Sequence, residues 1–182
     1  SAQQGDHMAQ YNLGLMYAKG QGVTADSAEA NKWFRLAAEQ GDSMAQLKLA
    51  MAEAENSGTP LTQQQMADFY LQAAKQGYSE AQTAIGSMYK RGVGVDQNAA
   101  DALYWYSQAA AQGDLRALHW MAVSYLNGDG VPQDLNLAIQ FYTKAADAGY
   151  ALSQYNLATM YMTGQGVQAS DTDAFQRFQE AA

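Results

Sequence analysis

Apolar and small residues along the chain fall on one helical stripe, pause at glycines, and then fall on a second stripe. Between residues 6 and 20 they stand at Ala9, Leu13, Met16 and Tyr17. That is the i, i+4, i+7, i+8 spacing of one helix face. Gly20 and Gly22 then interrupt the pattern, with Val23 as an apolar plug in the turn. Glycine past a helix end adopts the left-handed backbone that other residues avoid. A second stripe follows at Ala30, Trp33, Phe34, Ala37 and Ala38, and Gly41 ends it. No stretch alternates with the period of two that a strand requires. The pattern predicts an antiparallel helix pair joined by a short glycine turn.

The pair then repeats. Gly5, Gly41, Gly77, Gly113 and Gly149 stand 36 residues apart with no insertion. Leu13, Leu49, Ile85, Met121 and Leu157 form an apolar column, and Gly14, Ala50, Gly86, Ala122 and Ala158 a small one. Tyr17, Tyr89, Tyr125 and Tyr161 form an aromatic column broken by Glu53. Ala37-Ala38 recurs at Ala73-Ala74, Ala109-Ala110, Ala145-Ala146 and Ala181-Ala182, each preceded by an aromatic: Phe34, Tyr70, Tyr106, Tyr142 or Phe178. Asp26, Thr62, Asn98, Asp134 and Ser170 open the second helix of each pair, and all are N-cap types. Asp26 with Glu29 and Thr62 with Gln65 resemble capping boxes. The expected architecture is all-α: a single solenoid over residues 1–182 made of five 36-residue antiparallel helix pairs. The units run 5–40, 41–76, 77–112, 113–148 and 149–182. By analogy with other helix-pair solenoids, a small constant rotation between pairs gives a right-handed superhelix with one concave side. Residues 1–6 match residues 37–42 in register, and the chain closes inside the last helix. Neither end shows the polar cap of a terminal repeat, so a segment of a longer array is expected.

Composition narrows the function. The chain has 182 residues, 48% of them apolar, and a net charge of −8 from 18 acids against 10 bases. An acidic surface argues against nucleic acid, whose phosphates call for Lys and Arg. The apolar runs are too short for membrane insertion. There is no cysteine, hence no disulfide or thiolate metal site. Two histidines, His7 and His119, lie far apart, so neither a metal nor another cofactor is expected. The Gly-x-Gly-Val turns lack the Lys and Ser/Thr of a phosphate loop and the strand before it, and no G-x-S-x-G elbow is present.

These columns resemble the Sel1-like repeat family, which is related to tetratricopeptide repeats. Unit one supplies the pattern as Ala9, Leu13, Gly14, Tyr17, Gly20, Gly22, Val23, Asp26, Ala30, Trp33, Phe34, Ala37, Ala38 and Gly41. Units three and four follow it closely. Unit five has Ser170 at the Asp position and Arg177 at the Trp position. Unit two departs most, with Glu53 for Tyr, Asn56 for Gly and Thr59-Pro60 in the turn, so a turn of different shape is expected there. The resemblance implies a scaffold for protein–protein contacts with no catalytic residues. Bacterial members often act at the envelope, so for a bacterial source it implies the envelope, periplasm or secretion over the cytoplasm. A cysteine-rich branch is linked to β-lactam binding or hydrolysis, and its disulfides are absent here.

Specificity in such an array lies where the copies differ. Two groups stand out on the side of the first helices expected to line the concave face. Met8, Tyr11, Leu15, Met44, Leu47 and Met51 form a Met-rich apolar groove suited to an apolar peptide or helix. Lys90, Arg91, Arg116 and His119 gather cationic or titratable groups that suit an acidic segment or a carboxylate, the alternative being a solvated basic patch. Trp120, in a column otherwise holding Asn12, Lys48, Ala84 and Asn156, is either an exposed anchor or a space filler. Tyr155 completes the candidate groove. The expected function is a non-catalytic scaffold that binds a protein or peptide. The alternatives are a small-ligand or cell-wall binder with weak activity, and an architectural spacer.

Overall fold

The computed structural model describes the backbone of residues 6–54 and 61–182 and the side chains of residues 6–52 and 61–182. The expectations placed on residues 1–5, on the Glu53 side chain and on Asn56, Thr59 and Pro60 lie outside them. The described residues form ten helices and no strand: α1 His7–Lys19, α2 Ser27–Glu39, α3 Ser43–Ala54, α4 Gln63–Lys75, α5 Ser79–Arg91, α6 Ala99–Ala111, α7 Leu115–Asn127, α8 Leu135–Asp147, α9 Ala151–Thr163 and α10 Asp171–Ala181.

Each even-numbered helix starts at the predicted cap. The Asp26 carboxylate accepts from the backbone N–H of Ala28 (2.9 Å) and Glu29 (3.0 Å). Asn98 does the same for Ala100 and Asp101, Asp134 for Leu137, and Ser170 for Asp173. These bonds satisfy N–H groups that the helix leaves without a partner. Thr62 and Gln65 form a reciprocal box, Gln65 N–H to Thr62 Oγ1 at 3.1 Å and Thr62 N–H to Gln65 Oε1 at 3.0 Å. Asp26 and Glu29 form only half of one, because the Glu29 side chain pairs with Lys32. Among the odd-numbered helices, Asp6, Asp42 and Asp114 cap α1, α3 and α7. Tyr150, at the same register before α9, makes no side-chain cap bond.

Two compact units result, Ser1–Ala81 with Gly92–Asp96, and Gln82–Arg91 with Gln97–Ala182. The first is centred on Phe34, Ala37, Ala38, Ala45 and Leu49, with Tyr11, Leu15 and Tyr17 packed against them. The second has a cluster around Tyr106, Leu118 and Met121 and another around Tyr142, Leu157 and Met160. Tyr106 and Tyr142 are fully enclosed, and burial of a ring of this size contributes about 1.5–3 kcal/mol. The alanine pairs in these clusters let helix backbones approach. So does Gly86, where an added methyl would stand 2.8 Å from the Tyr106 ring.

Candidate partner-binding site

In the second unit, the last turn of α5 brings Ser87, Lys90 and Arg91 against Tyr106 of α6 and Trp120 of α7, around a cavity of about 380 Å³. The Trp120 ring stacks on Tyr106, with centroids 6.3 Å apart and planes 17° apart. Lys90 Nζ stands 4.8 Å from the Trp120 centroid, within cation–π range. The Tyr106 hydroxyl donates to Ser87 Oγ at 3.2 Å. Burial raises the Tyr106 pKa, opposed by the Ser87 bond and the Arg91 charge, so the phenol stays protonated. Asp129, in the turn after α7, lies 3.7 Å from Lys90 and partly offsets its charge. Arg91 Nε donates to the Ser87 carbonyl at 3.3 Å. Among the described residues no carboxylate pairs with the Arg91 guanidinium. The cavity therefore offers one uncompensated and one partly compensated cation beside an aromatic face.

The expected group of four does not assemble. Arg116 is exposed and pairs with Asp114 at 3.6 Å, outside the cavity. His119 is buried, with Nδ1 and Ser153 Oγ in contact at 3.0 Å and the rings of Trp120, Tyr142 and Tyr150 at 5.3, 5.5 and 5.4 Å. Burial, and then the Lys90 charge, lowers its pKa from 6.5 to about 4. It is a neutral packing residue at pH 7, not a surface cation. Trp120 is half-buried rather than exposed, and it fills space against Tyr106 with one face toward Lys90.

Of the expected apolar groove, Leu47 is corrected to a core residue. Leu47 is buried, and Tyr11 and Leu15 are half-buried on the core of the first unit, Tyr11 with its ring 5.7 Å from Phe34. Met44 is half-buried. Met51 lines a separate cavity of about 290 Å³ with Ala18, Phe34 and Lys48. Met8 is exposed and lies outside that cavity. Tyr155 is exposed on α9, with its ring edge-on to Phe178 at 5.5 Å.

Sequence reasoning missed Tyr106 in the wall of the cationic cavity and Asp129 paired with its Lys90. Tyr106 stands in a packing column and carries nothing that marks it as different from Tyr142. Asp129 did carry a signal: it is the one acid at the middle position of the glycine turns, where the other units have Gln21, Ser57, Val93 and Gln165. Among the described residues no group of His, Asp and Glu is placed to hold a metal ion, and no helix is long and apolar enough to cross a membrane.

No curated protein sequence matches the chain. Among solved structures it is similar to c5321, a protective antigen present in uropathogenic Escherichia coli strains that displays an SLR fold. The TM-score is 0.87, with 36% identity over 99% of this chain and 38% of that one. The chain thus spans well under half the length of the antigen. It is also similar to a Sel1 repeat protein from Oxalobacter formigenes, with a TM-score of 0.89 and 32% identity over 98% of this chain and 71% of that one. The immunity protein Pa5087 from Pseudomonas aeruginosa shares the fold at a TM-score of 0.57 and 21% identity, over 96% of this chain and 64% of that one. The Sel1 repeat profile matches residues 7–42, 79–114, 115–150 and 151–182. With ten helices paired in this register and the repeat matched over more than half of its length, the chain is an all-α repeat solenoid and belongs to the Sel1 repeat family.

Proposed function

We propose that the chain is a non-catalytic scaffold that holds a protein partner by an acidic, carboxylate-bearing segment seated in the cavity of Lys90, Arg91 and Trp120. Sel1 repeats commonly serve as protein–protein interaction scaffolds. The observation that carries the reading is the exposed, uncompensated Arg91 guanidinium next to Lys90 and an aromatic face, in a chain of net charge −8. The positions of Lys90 and Arg91 also differ from unit to unit, holding Ala18 and Lys19 in unit one and Leu126 and Asn127 in unit four. A guanidinium fork matches a carboxylate geometrically, and a charge-assisted hydrogen bond is stronger than a neutral one. The aromatic wall of Trp120 then packs against the stem of an acidic side chain.

The test is calorimetric titration of the full chain with a hexaglutamate peptide. Lys90→Glu/Arg91→Glu is expected to weaken binding at least about tenfold, the loss of two partly exposed charge pairs. Lys144→Glu, outside the cavity, is expected to leave it unchanged. Equal affinity for the parent and the double variant overturns the assignment of the site.

A further inference from the structure

The cavity of Met51 in the first unit and the cavity of Lys90 in the second stand at the same place in the repeat. Two periods separate Ala18 from Lys90, Phe34 from Tyr106 and Lys48 from Trp120, and all of these residues line one cavity or the other. Each cavity is a gap between the end of one pair's first helix, the middle of its second helix and the first helix of the next pair. In the fourth pair the three positions hold Leu126, Tyr142 and Asn156. There Asn156 Nδ2 donates to the Tyr142 hydroxyl at 3.2 Å, and Leu126 packs on the core. In the first pair Phe34 has no hydroxyl to accept such a bond, and Ala18 is too short to fill the space. The gap stays open at about 290 Å³, near the lower end of small-molecule sites.

The lining of this gap divides by chemistry. Phe34, Met51 and Ala18 are apolar, while Lys48, Ser27 and Asn31 are polar. Lys48 is half-buried and Phe34 buried. Lys32, Lys90, Arg116 and Arg177 each pair with a carboxylate, but among the described residues none pairs with Lys48. A charge partly withdrawn from water acts on an anion with less screening than a fully solvated one. One ammonium balances one negative charge, and the rest of the wall suits hydrocarbon. The cavity of Lys90 differs in both respects, with a second cation in Arg91 and an indole wall in Trp120.

We propose that the first unit holds a site for a small aliphatic monocarboxylate. The carboxylate sits on Lys48 and the hydrocarbon lies between Phe34 and Met51. A free short-chain acid and the end of a polypeptide with an aliphatic last residue share this chemistry. The site has no residue in common with the cavity of Lys90, Arg91 and Trp120, so it does not rest on the partner proposed for that cavity.

The test is a titration of the full chain, carrying 13C-methyl methionine, with sodium hexanoate. The reporter is the Met51 methyl, assigned by its loss in Met51→Leu. Its resonance is expected to shift and saturate in roughly the millimolar range, as suits a ligand of so few atoms. Hexanamide is expected to bind about tenfold more weakly, and so is hexanoate to Lys48→Gln, since each change removes one charge-assisted bond. Ala18→Leu, which brings the fourth pair's residue into the gap, is expected to abolish the response with helical circular dichroism unchanged. If that variant disturbs the fold, Lys48→Gln alone decides. Lys90→Glu/Arg91→Glu is expected to leave the Met51 titration as it is. N-acetyl-leucine separates the two sources: a shift with both acids identifies a chain end, and a shift with hexanoate alone a free acid. A Met51 methyl that does not move with hexanoate, equal affinity for hexanoate and hexanamide, an unchanged titration in Lys48→Gln, or loss of the response in Lys90→Glu/Arg91→Glu overturns the proposal.

Discussion

His119 shows how far one side chain can depart from what its type suggests. A histidine near two cations reads as a charge, yet in the fold it is a buried ring among Trp120, Tyr142 and Tyr150. Its pKa falls from 6.5 to about 4, first through burial and then through Lys90. Above pH 6.5 the ring is neutral in both folded and unfolded chains, so it contributes no pH dependence there. Between pH 6.5 and about 4 the unfolded chain binds a proton that the fold refuses, and stability falls by up to about 1.4 kcal/mol per pH unit. Below about pH 4 both states are protonated and the loss levels off. Denaturant unfolding of the parent and of His119→Gln across pH 7 to 4 checks this. The variant is expected to lose stability less steeply, and parallel curves exclude the effect.

At the scale of the element, the glycine turn has two kinds of position. Gly128 and Gly130 both hold left-handed backbone, with φ of 77° and 78°. A methyl on Gly128 meets nothing nearer than 3.4 Å, whereas on Gly130 it would stand 2.6 Å from the backbone carbonyl of Ala99. Gly128→Ala is therefore expected to cost about 1 kcal/mol in backbone strain alone. Gly130→Ala adds a clash with rigid main chain and is expected to cost about 2–4 kcal/mol in total. Thermal unfolding of the two variants separates them, and equal losses exclude the contact. The glycine turns of units one, three, four and five, the helix pairing and the five caps from Asp26 to Ser170 were legible in the sequence, because each depends on residues close along the chain. The candidate site was legible only in part. Spacing shows which residues share a face of one helix, so Lys90, Arg91 and Trp120 were found. It does not show which face the next pair covers, which is set by the angle of stacking. That is why Leu47 and His119 read as groove residues and are buried.

For the molecule as a whole, net charge acts against the proposed contact while the cavity acts for it. The chain carries −8, so an acidic peptide is repelled by most of it and drawn to Lys90 and Arg91. Added salt weakens the short-range attraction between the cationic cavity and the peptide. Raising salt is therefore expected to weaken hexaglutamate binding to the parent more than to Lys90→Glu/Arg91→Glu. Calorimetry across a salt series reads both, and equal salt dependence excludes a contact governed by these charges.

The turns at Gly94, Gly130 and Gly166, which rest on Gln63, Ala99 and Leu135 of the pair before, also bear on how such a chain can change length. One thing each of these pairs requires of its neighbour is a backbone loop in a fixed place. Removing or duplicating exactly one period at a helix start joins two surfaces that already fit. A cut of any other length sets a side chain where the loop must pass. Gene duplication can therefore lengthen this protein in steps of one period with little need for compensating substitutions.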